Sequence, residues 1–318
     1  MQVGILSART GWHTDELCRA LALRGHTAHV ASYDHLVAAI GTRRGRDGRH
    51  RDDGPARVVP GSLRSGDLSL LEADAVLARI IPGGSLEQII YRVDALHWIE
   101  EHGVAVMNSP RAIERTVDKF YTDTLLGLAG LPTPETIVCE GVDDAMDAVK
   151  AMGDVVIKPL FGSMGHGLVR VSDPDTALRV IRALAQVRSV FYVQRAIDHR
   201  GRDIRAFVVG GRVLGAIERV ARGEEWRSNM SRGAVARPYE LTASWAALAT
   251  RAAAAVGADY AGVDLLPDAD GSVFVLEVNG IPGWQGLQAA TGLDVAGALV
   301  DHLAARMTSG ARASEVAT

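Results

Sequence analysis

Apolar residues recur with two different periods along the first hundred residues, and these periods predict alternating strands and helices. Apolar runs predict strands at 2–6, 26–32, 73–80 and 104–107. Apolar residues at helical spacing predict helices at 10–23 and 86–101. Because strand and helix alternate, this part of the chain predicts a parallel sheet with helices on its faces, which is a roughly Rossmann-like α/β domain.

The rest of the sequence predicts two mixed α+β halves. Predicted helices lie at 116–128, 142–152, 175–187 and 243–256. Predicted strands lie at 135–139, 154–158, 190–194, 204–209, 212–220, 262–266 and 272–279. We expect the two halves to face each other across a ligand cleft. The predicted division of the chain is 1–115, 116–189 and 190–306, followed by a frayed tail at 307–318.

A charged, glycine-rich stretch at 41–57 interrupts the first domain. It has no apolar residue that could anchor it, and it is therefore predicted to be a mobile surface loop. A second interpretation is that its arginines attract an anionic acceptor. These arginines are Arg43, Arg44, Arg46, Arg49 and Arg51.

Acidic and amide side chains stand inside two apolar strands near the end of the sequence. Asp264 lies within Gly-Val-Asp-Leu-Leu, and Glu277 and Asn279 lie two apart in Val-Leu-Glu-Val-Asn. Residues two apart in a strand point to the same face. Carboxylates in apolar surroundings are unfavourable unless a cation meets them, and oxygen ligands suit Mg²⁺ held together with phosphates. The alternative is a pair of edge strands with solvated acids on one face.

Lysine is rare in this chain, which draws attention to the positions that keep it. Only Lys119, Lys150 and Lys158 occur among 34 basic residues. Lys158 ends an apolar strand and is followed by a loop with glycines at 162, 165 and 167. Such a loop lets backbone N–H groups approach phosphate oxygens while the lysine supplies a compact charge. Taken alone, the loop could be an ordinary glycine turn.

Composition excludes several classes of protein. At 318 residues and 47% hydrophobic content, the chain is long enough for a substantial core and two or three domains or subdomains. A net charge of −4 argues against a nucleic-acid carrier. We expect no secretion signal and no membrane span. We also expect a cytoplasmic location, since the two cysteines form no spaced framework. Cys18 and Cys139 lie in apolar patterns and are predicted to be packed thiols rather than nucleophiles.

Ordered motifs from about Thr116 to Arg306 resemble the ATP-grasp ligases, and within them the RimK-type α-L-glutamate ligases. The motifs are Asp118-Lys119, the strand ending at Lys158, the loop 162–167, Tyr192-Val-Gln-Arg-Ala-Ile197, Gly201-Arg-Asp-Ile-Arg205, Arg227-Ser-Asn-Met-Ser-Arg-Gly233, Gly262-Val-Asp264 and Glu277-Val-Asn-Gly-Ile-Pro-Gly283. The resemblance implies an ATP-grasp fold preceded by a Rossmann-like domain. It also implies an ATP-dependent ligase that joins a carboxylate to an amine through an acyl phosphate.

The same resemblance assigns roles to individual residues. It implies that Lys119, Lys158 and the loop residues Gly162, Ser163, Gly165 and Gly167 contact ATP phosphates. It implies that the backbone of Arg195 and Ala196 pairs with adenine, that Gln194 also binds the nucleotide, and that Asp203 binds ribose. It implies that the nucleotide pocket is completed by Arg227, Ser228 and Asn229, and that Mg²⁺ or Mn²⁺ is held by Asp264, Glu277 and Asn279. Arg195 and Ala196 depart from the family, which often has Glu and an aromatic residue there.

The substrate side of the site is predicted more coarsely. Arg205 and Arg232 are interpreted as catalytic clamps for a carboxylate or acyl phosphate, with structural partnership to Asp203 or Glu218 as the alternative. Trp12 and Trp284 either line an acceptor pocket or pack in the core.

The ending Asn-Gly-Ile-Pro-Gly-Trp favours the pterin-modifying branch over the ribosomal one, so we expect glutamate to be added to a small pterin-like acceptor. Two other hypotheses are ligation to a peptide or ribosomal protein, and a nucleotide-binding regulator without chemistry. The resemblance also makes a homo-oligomer possible.

Overall fold

A computed structural model describes residues 1–40, 61–162, 167–221 and 233–316 of the chain, with side chains described as far as residue 309. The chain divides into two compact units. Met1–Arg111 with Ala296–Thr318 forms the first, and Ala112–Val295 forms the second. Within the described ranges, no helix is long and apolar enough to cross a bilayer.

The described residues of the first part of the chain form nine helices and strands, together with one short turn of 3-10 helix. In order they are β1 (Gln2–Ser7), α1 (Trp12–Leu23), β2 (Thr27–Ser32), the 3-10 turn (Tyr33–His35), β3 (Leu36–Ala39), β4 (Ser62–Ser65), β5 (Leu68–Ser69), β6 (Ala75–Ala78), α2 (Leu86–Glu101) and β7 (Ala105–Met107).

A four-stranded parallel sheet with the order β2-β1-β6-β7 forms the centre of the first unit. Its inner strands β1 and β6 are mostly apolar, and Val3, Ile5 and Leu77 are almost fully buried. This confirms the predicted parallel sheet. The sequence did not predict the small antiparallel sheet β3-β4-β5, whose strands have two to four residues and carry no long apolar run.

The second part of the chain forms sixteen described elements. In order they are α3 (Pro110–Val117), α4 (Lys119–Leu128), β8 (Thr136–Cys139), α5 (Val142–Met152), β9 (Val155–Lys158), β10 (Val169–Val171), α6 (Pro174–Gln186), β11 (Phe191–Arg195), β12 (Arg202–Val209), β13 (Arg212–Val220), β14 (Val235–Pro238), α7 (Ala243–Val256), β15 (Tyr260–Pro267), β16 (Val273–Asn279), α8 (Gln285–Thr291) and α9 (Val295–Val316).

The last helix, α9, differs from the predicted division of the chain. The sequence predicted residues 190–306 as one subdomain, with no helix after residue 256 and a frayed tail after Arg306. The structure assigns Ala296 onward to the first unit. There Arg306 donates to the carbonyl of Val106 at 3.0 Å, and Asp301 pairs with Arg24. The helix continues to Val316, and no proline in this segment forces it to end earlier.

The second unit contains two antiparallel sheets, each with its own helices, but β11 (Phe191–Arg195) pairs within the first sheet and so lies on the other side of the predicted boundary between residues 189 and 190. The first sheet has the order β10-β9-β11-β8 and packs against α5 and α6 through a core that includes Val149, Ile157 and Ile181. The second has the order β14-β13-β12-β15-β16, and its core includes Leu126 of α4 and Ala252 of α7. Apolar residues on one face of each sheet therefore leave the other face available for polar side chains.

The predicted helix at 116–128 is wrong as a single element. The chain forms α3 and α4 instead, and Asp118 separates them in an extended conformation. The Asp118 carboxylate accepts a hydrogen bond from the N–H of Tyr121, which caps the second helix. As a result Lys119 is the first residue of α4, rather than a residue in the middle of a longer helix.

Candidate active site

A polar row crosses the open face of the second sheet, and a β-bulge assembles it. Asp264 lies directly opposite Glu277, and the register shifts just after Asp264. Because of that shift, Val275 and Val278 can both join the core while Glu277 and Asn279 share the face of Asp264. The sequence predicted these three residues together, and the structure brings them together.

Asp264 is bound by two arginines. Arg205 donates two hydrogen bonds of 2.7 Å to its two oxygens, and Arg219 lies 2.9 Å from one of them. Burial alone would raise the pKa of Asp264, but the two guanidinium groups outweigh it and hold that pKa below its usual value. Asp264 is therefore a carboxylate whose charge is already balanced.

Arg219 also binds Asp203, which changes the role predicted for that acid. Two hydrogen bonds of 2.6 Å join the guanidinium to both Asp203 oxygens, and both side chains are buried. This geometry favours a structural ion pair over the predicted ribose contact. Arg205, which we interpreted as a catalytic clamp, is likewise paired in this structure, with Asp264 as its partner rather than Asp203 or Glu218.

Glu277 has the opposite electrostatic environment. Burial is the main cause that raises its pKa and nearby Asp264 adds to it, while Lys119, Arg205 and Lys158 act in the other direction. A raised pKa means that the site disfavours a second negative charge unless a further cation arrives.

The oxygen donors of the row fit a magnesium ion. Within the described ranges there is no cluster of three or more His, Cys, Asp or Glu side chains arranged for a metal. The predicted set therefore depends on the Asn279 amide as its third oxygen donor. Its nitrogen donates to the carbonyl of Gly262 at 3.2 Å, which leaves the amide oxygen as an acceptor. Two carboxylates and an amide are hard ligands of the type that Mg²⁺ takes alongside phosphate.

Lys158 ends β9 as a buried ammonium. Its side chain donates to the Gln194 amide oxygen at 2.6 Å and lies 5.7 Å from the centre of the Tyr192 ring. Burial lowers its pKa to about 8, although Glu277 and Asp123 act in the opposite direction and Lys119 adds to the lowering.

Lys119 reaches the start of the glycine loop. Its ammonium donates to the carbonyl of Gly162 at 2.8 Å and lies 3.4 Å from that of Leu160. Burial lowers its pKa, opposed first by Glu277. Both lysines and Glu277 therefore lie within electrostatic reach of one another.

Part of the glycine loop lies outside the described residues. Gly162 and Gly167 flank it with φ values of +142° and +74°, a region of backbone space that favours glycine. Other predicted positions also lie outside: the loop 41–57, Ser163, Gly165, Arg227, Ser228, Asn229 and Arg232.

The predicted adenine contact at Arg195 and Ala196 needs correction for the backbone donors. The N–H of Arg195 donates to the carbonyl of Glu135 at 2.8 Å, and that of Ala196 donates to Asp154 at 2.9 Å. The Arg195 side chain pairs with the Glu135 carboxylate. The sheet uses these N–H groups, so only the carbonyl groups of the two residues remain for a base.

The two tryptophans behave differently. Trp284 is 1% exposed and packs edge-on against Phe207, which favours the core interpretation over the acceptor pocket. In the first unit, Trp12 is half-buried and lies edge-on to His13. A cavity of about 920 Å³ in the first unit extends along β2, lined by residues that range from Gln2 and Ala28 to Arg9 and His35.

Sequence reasoning missed three residues that organise this site. Asp123, Tyr192 and Arg219 received no role, yet all three contact predicted site residues or their direct partners. Asp123 follows Lys119 by four residues in a helix, and that spacing was a usable signal. Arg219 pairs across the sheet with Asp203, which requires knowledge of strand order.

The motifs and this geometry coincide with a known domain. A model described as the RimK-like ATP-grasp domain matches residues 116–303, which is more than half of the chain. The chain belongs to the RimK-like ATP-grasp family. This confirms the family resemblance and the predicted fold class.

Relatives in the RimK-like family cover most of the chain. The tetrahydromethanopterin:alpha-L-glutamate ligase of Methanosarcina acetivorans is 36% identical over 268 residues, which are 76% of this chain and 83% of the relative. The ligase of the same name from Methanococcus maripaludis is 32% identical and covers 95% of this chain and 97% of its own. A probable alpha-L-glutamate ligase of Trichodesmium erythraeum is 37% identical over 98% of both chains.

Solved structures agree with the RimK-like fold. The ATP-grasp ligase PsnB, complexed with a minimal precursor, Mg and ADP, has a TM-score of 0.71 at 22% identity and covers 96% of this chain and 98% of its own. The RimK domain protein ATP-grasp from Sphaerobacter thermophilus has a TM-score of 0.70 at 23% identity, with 95% and 99% covered. At this identity the likeness establishes the fold alone.

Proposed function

We propose that this chain is an ATP- and magnesium-dependent ligase that adds L-glutamate to the carboxylate of a small, pterin-like acceptor. The observation that carries the proposal is the convergence of Lys119, Lys158 and Glu277 beside the Asp264–Asn279 row. The names of the relatives that match this chain over most of its length support the acceptor and the amino acid.

The chemistry of ligation fits what these side chains supply. A carboxylate becomes electrophilic when it is phosphorylated, and the transfer develops negative charge on the phosphoryl oxygens. Lys158 presents a buried ammonium group and Lys119 a half-buried one, and both offset this charge. Asp264, Glu277 and Asn279 would hold Mg²⁺, which supplies further charge neutralisation when bound.

No covalent intermediate on the protein is needed, and the two cysteines are poor candidates for one. Both are free thiols. Burial is the main cause that raises the pKa of Cys18 and of Cys139, so each stays protonated and weakly nucleophilic near neutral pH. Free thiols also fit the reducing cytoplasm, where we place the protein.

The test is ADP release with glutamate across a panel of acceptors: a reduced pterin with a carboxylate side chain, a peptide ending in glutamate, and buffer alone. We expect release with the pterin only. Release with the peptide would transfer the proposal to peptide ligation, and no release with any acceptor would favour a nucleotide-binding regulator.

The chain offers a matched control for this experiment. Lys150 is the third lysine, is exposed on α5 and pairs only at the surface with Asp147 at 3.0 Å. We expect Lys119→Ala and Lys158→Ala each to lower kcat/KM for ATP at least about 100-fold, within the range for removing a group that stabilises transferred charge. Lys150→Ala should match the wild type. Equal effects at all three lysines would overturn the proposal.

A further inference from the structure

Behind Lys158 lie three hydrogen-bonded side chains, Gln194, Tyr192 and Asp123, which the proposed mechanism does not use. Gln194 accepts from Lys158 at 2.6 Å through its amide oxygen, and its amide nitrogen donates to the Tyr192 hydroxyl at 3.1 Å. The Tyr192 hydroxyl in turn donates to the Asp123 carboxylate. We call these three residues the Lys158 support.

The donor and acceptor directions in the Lys158 support are fixed from one end. The Tyr192 hydroxyl donates its one proton to a carboxyl oxygen of Asp123, so it can only accept from Gln194. Thr136 acts in the same way, because its hydroxyl donates to the carbonyl of Pro134 and accepts from the Gln194 nitrogen at 2.9 Å. The hydroxyl groups of Tyr192 and Thr136 therefore both need a donor, and the Gln194 amide must direct its nitrogen at them.

The orientation of the Gln194 amide decides which of its atoms faces the Lys158 ammonium. With its nitrogen directed at Tyr192 and Thr136, Gln194 presents its oxygen to the ammonium. A flipped amide would place its own donors against Lys158 and leave a buried charge without an acceptor, which is costly at 8% exposure. The ring of Tyr192 adds an attractive face to the ammonium at 5.7 Å.

Helix α4 connects this support with the other lysine. Asp123 lies one helical turn after Lys119, so both side chains lie on one side of α4. The same helix packs Leu126 into the core of the second sheet. A rigid helix therefore sets the relative position of Asp123 and Lys119, and through Tyr192 and Gln194 it also constrains Lys158.

We propose that Tyr192 and Asp123 are positioning residues that act through Gln194 to hold the Lys158 ammonium in place for the nucleotide phosphates. The inference rests on the proposed function, in which Lys158 binds those phosphates. Neither residue touches the nucleotide. They contribute to the binding of the ATP phosphates. The affinities for the amine and for the acceptor do not depend on them.

The experiment measures the Kd of a non-hydrolysable ATP analogue with Mg²⁺, together with kcat and the KM of each substrate. Tyr192→Phe keeps the ring and removes the hydroxyl, and Asp123→Ala removes the acceptor. We expect each to raise the Kd of the analogue and the KM for ATP about tenfold and to lower kcat as well, because Lys158 both binds the phosphates and offsets the charge that develops on them during transfer. The KM for glutamate should stay within about twofold of wild type. Asp123→Asn retains an oxygen that can accept from Tyr192, and it should restore most of the affinity.

A matched control separates positioning from loss of structure. Tyr260 is another fully buried tyrosine of the same unit and stacks on Phe207, so Tyr260→Phe removes a buried hydroxyl away from Lys158. We expect its Kd for the analogue to stay at the wild-type value. Variants of Tyr192 and Asp123 that lower Tm without changing the Kd would overturn the inference. A wild-type protein without affinity for the analogue would instead overturn the proposed function.

Discussion

Asp264 and Glu277 lie directly opposite each other on β15 and β16, yet their pKa values move in opposite directions. Arg205 and Arg219 neutralise Asp264, whereas Glu277 has no comparable partner among the residues that the structure describes and is half-buried beside a carboxylate that is already ionised. Asp264 therefore belongs to an ion-pair network whose charges are balanced. Glu277 is the acid that an added cation would stabilise most.

This difference predicts opposite effects on stability when each acid is neutralised. Asp264→Asn leaves the buried Arg219 with Asp203 as its carboxylate partner and the half-buried Arg205 without the carboxylate that it binds, and it should destabilise the second unit by about 3–5 kcal/mol. Glu277→Gln removes an unfavourable charge and should leave the free energy of unfolding unchanged or slightly increased. Urea unfolding without nucleotide or metal measures both values. A Glu277→Gln protein as unstable as Asp264→Asn would contradict this account.

The lowered pKa of Lys158 predicts a pH dependence of nucleotide affinity. The ammonium binds phosphate only while protonated, so affinity should be full below about pH 8 and fall as pH rises through that value. Burial is the largest cause of the shift, and the charged groups near it are Glu277, Asp123 and Lys119.

The rarity of lysine makes a direct measurement possible. Lysine labelled with ¹³C at Cε gives three signals, which Lys→Arg variants assign to positions 119, 150 and 158. We expect the signal of Lys158 to titrate near pH 8. A Lys158 signal that titrates near the ordinary lysine value of about 10.4 would refute the shift.

Sequence periodicity was enough for elements whose own residues decide their ends. The bounds of α2, α5, β13 and α7 agree with the prediction to the residue. At two of these helices a local signal explains the agreement, because Ser85 caps the start of α2 and Gly257 ends α7 in a left-handed conformation. Where no such signal exists, as in the short strands β10 and β14, pairing in the folded sheet creates the element.

The site was predictable as a set of residue types, but its pairings were not. Asp264, Glu277, Lys119 and Lys158 were identified from motifs and charge. The ion pair of Asp203 with Arg219 depends on how β12 pairs with β13. The hydrogen bond from the Arg195 N–H to the Glu135 carbonyl depends on which chain segment lies beside β11 in the other sheet. Both facts concern strand neighbours, which a single sequence does not specify.

Trp284 provides a test of the acceptor site. Its ring is buried against Phe207, so Trp284→Ala should cost about 3–5 kcal/mol of unfolding free energy. The KM for the acceptor should stay unchanged at a temperature where the variant is folded. Thermal unfolding and steady-state kinetics measure the two effects. A raised acceptor KM with normal stability would restore the pocket interpretation that the sequence allowed.

Gly280 follows Asn279 directly and offers the sharpest test of how the backbone holds the metal row. A Cβ atom at this position would lie 2.2 Å from the Thr116 hydroxyl oxygen, 3.1 Å from the Thr116 Cβ and 3.3 Å from its methyl group. The Thr116 hydroxyl cannot move away freely because it donates within α3 to the carbonyl of Ala112 at 2.9 Å. Gly280→Ala should therefore overpack this contact and cost about 1–3 kcal/mol.

The second residue of the pair allows a rescue. Thr116→Ala removes the oxygen and the methyl group that the new Cβ would meet, so the double variant should recover part of both stability and metal affinity. Urea unfolding measures the first, and titration with Mn²⁺ in the presence of ADP measures the second. Because Asn279 is the adjacent residue, we expect Gly280→Ala alone to weaken Mn²⁺ binding several-fold. Strictly additive effects of the two substitutions would show that Thr116 does not press on Gly280 and that the metal row is positioned by other contacts.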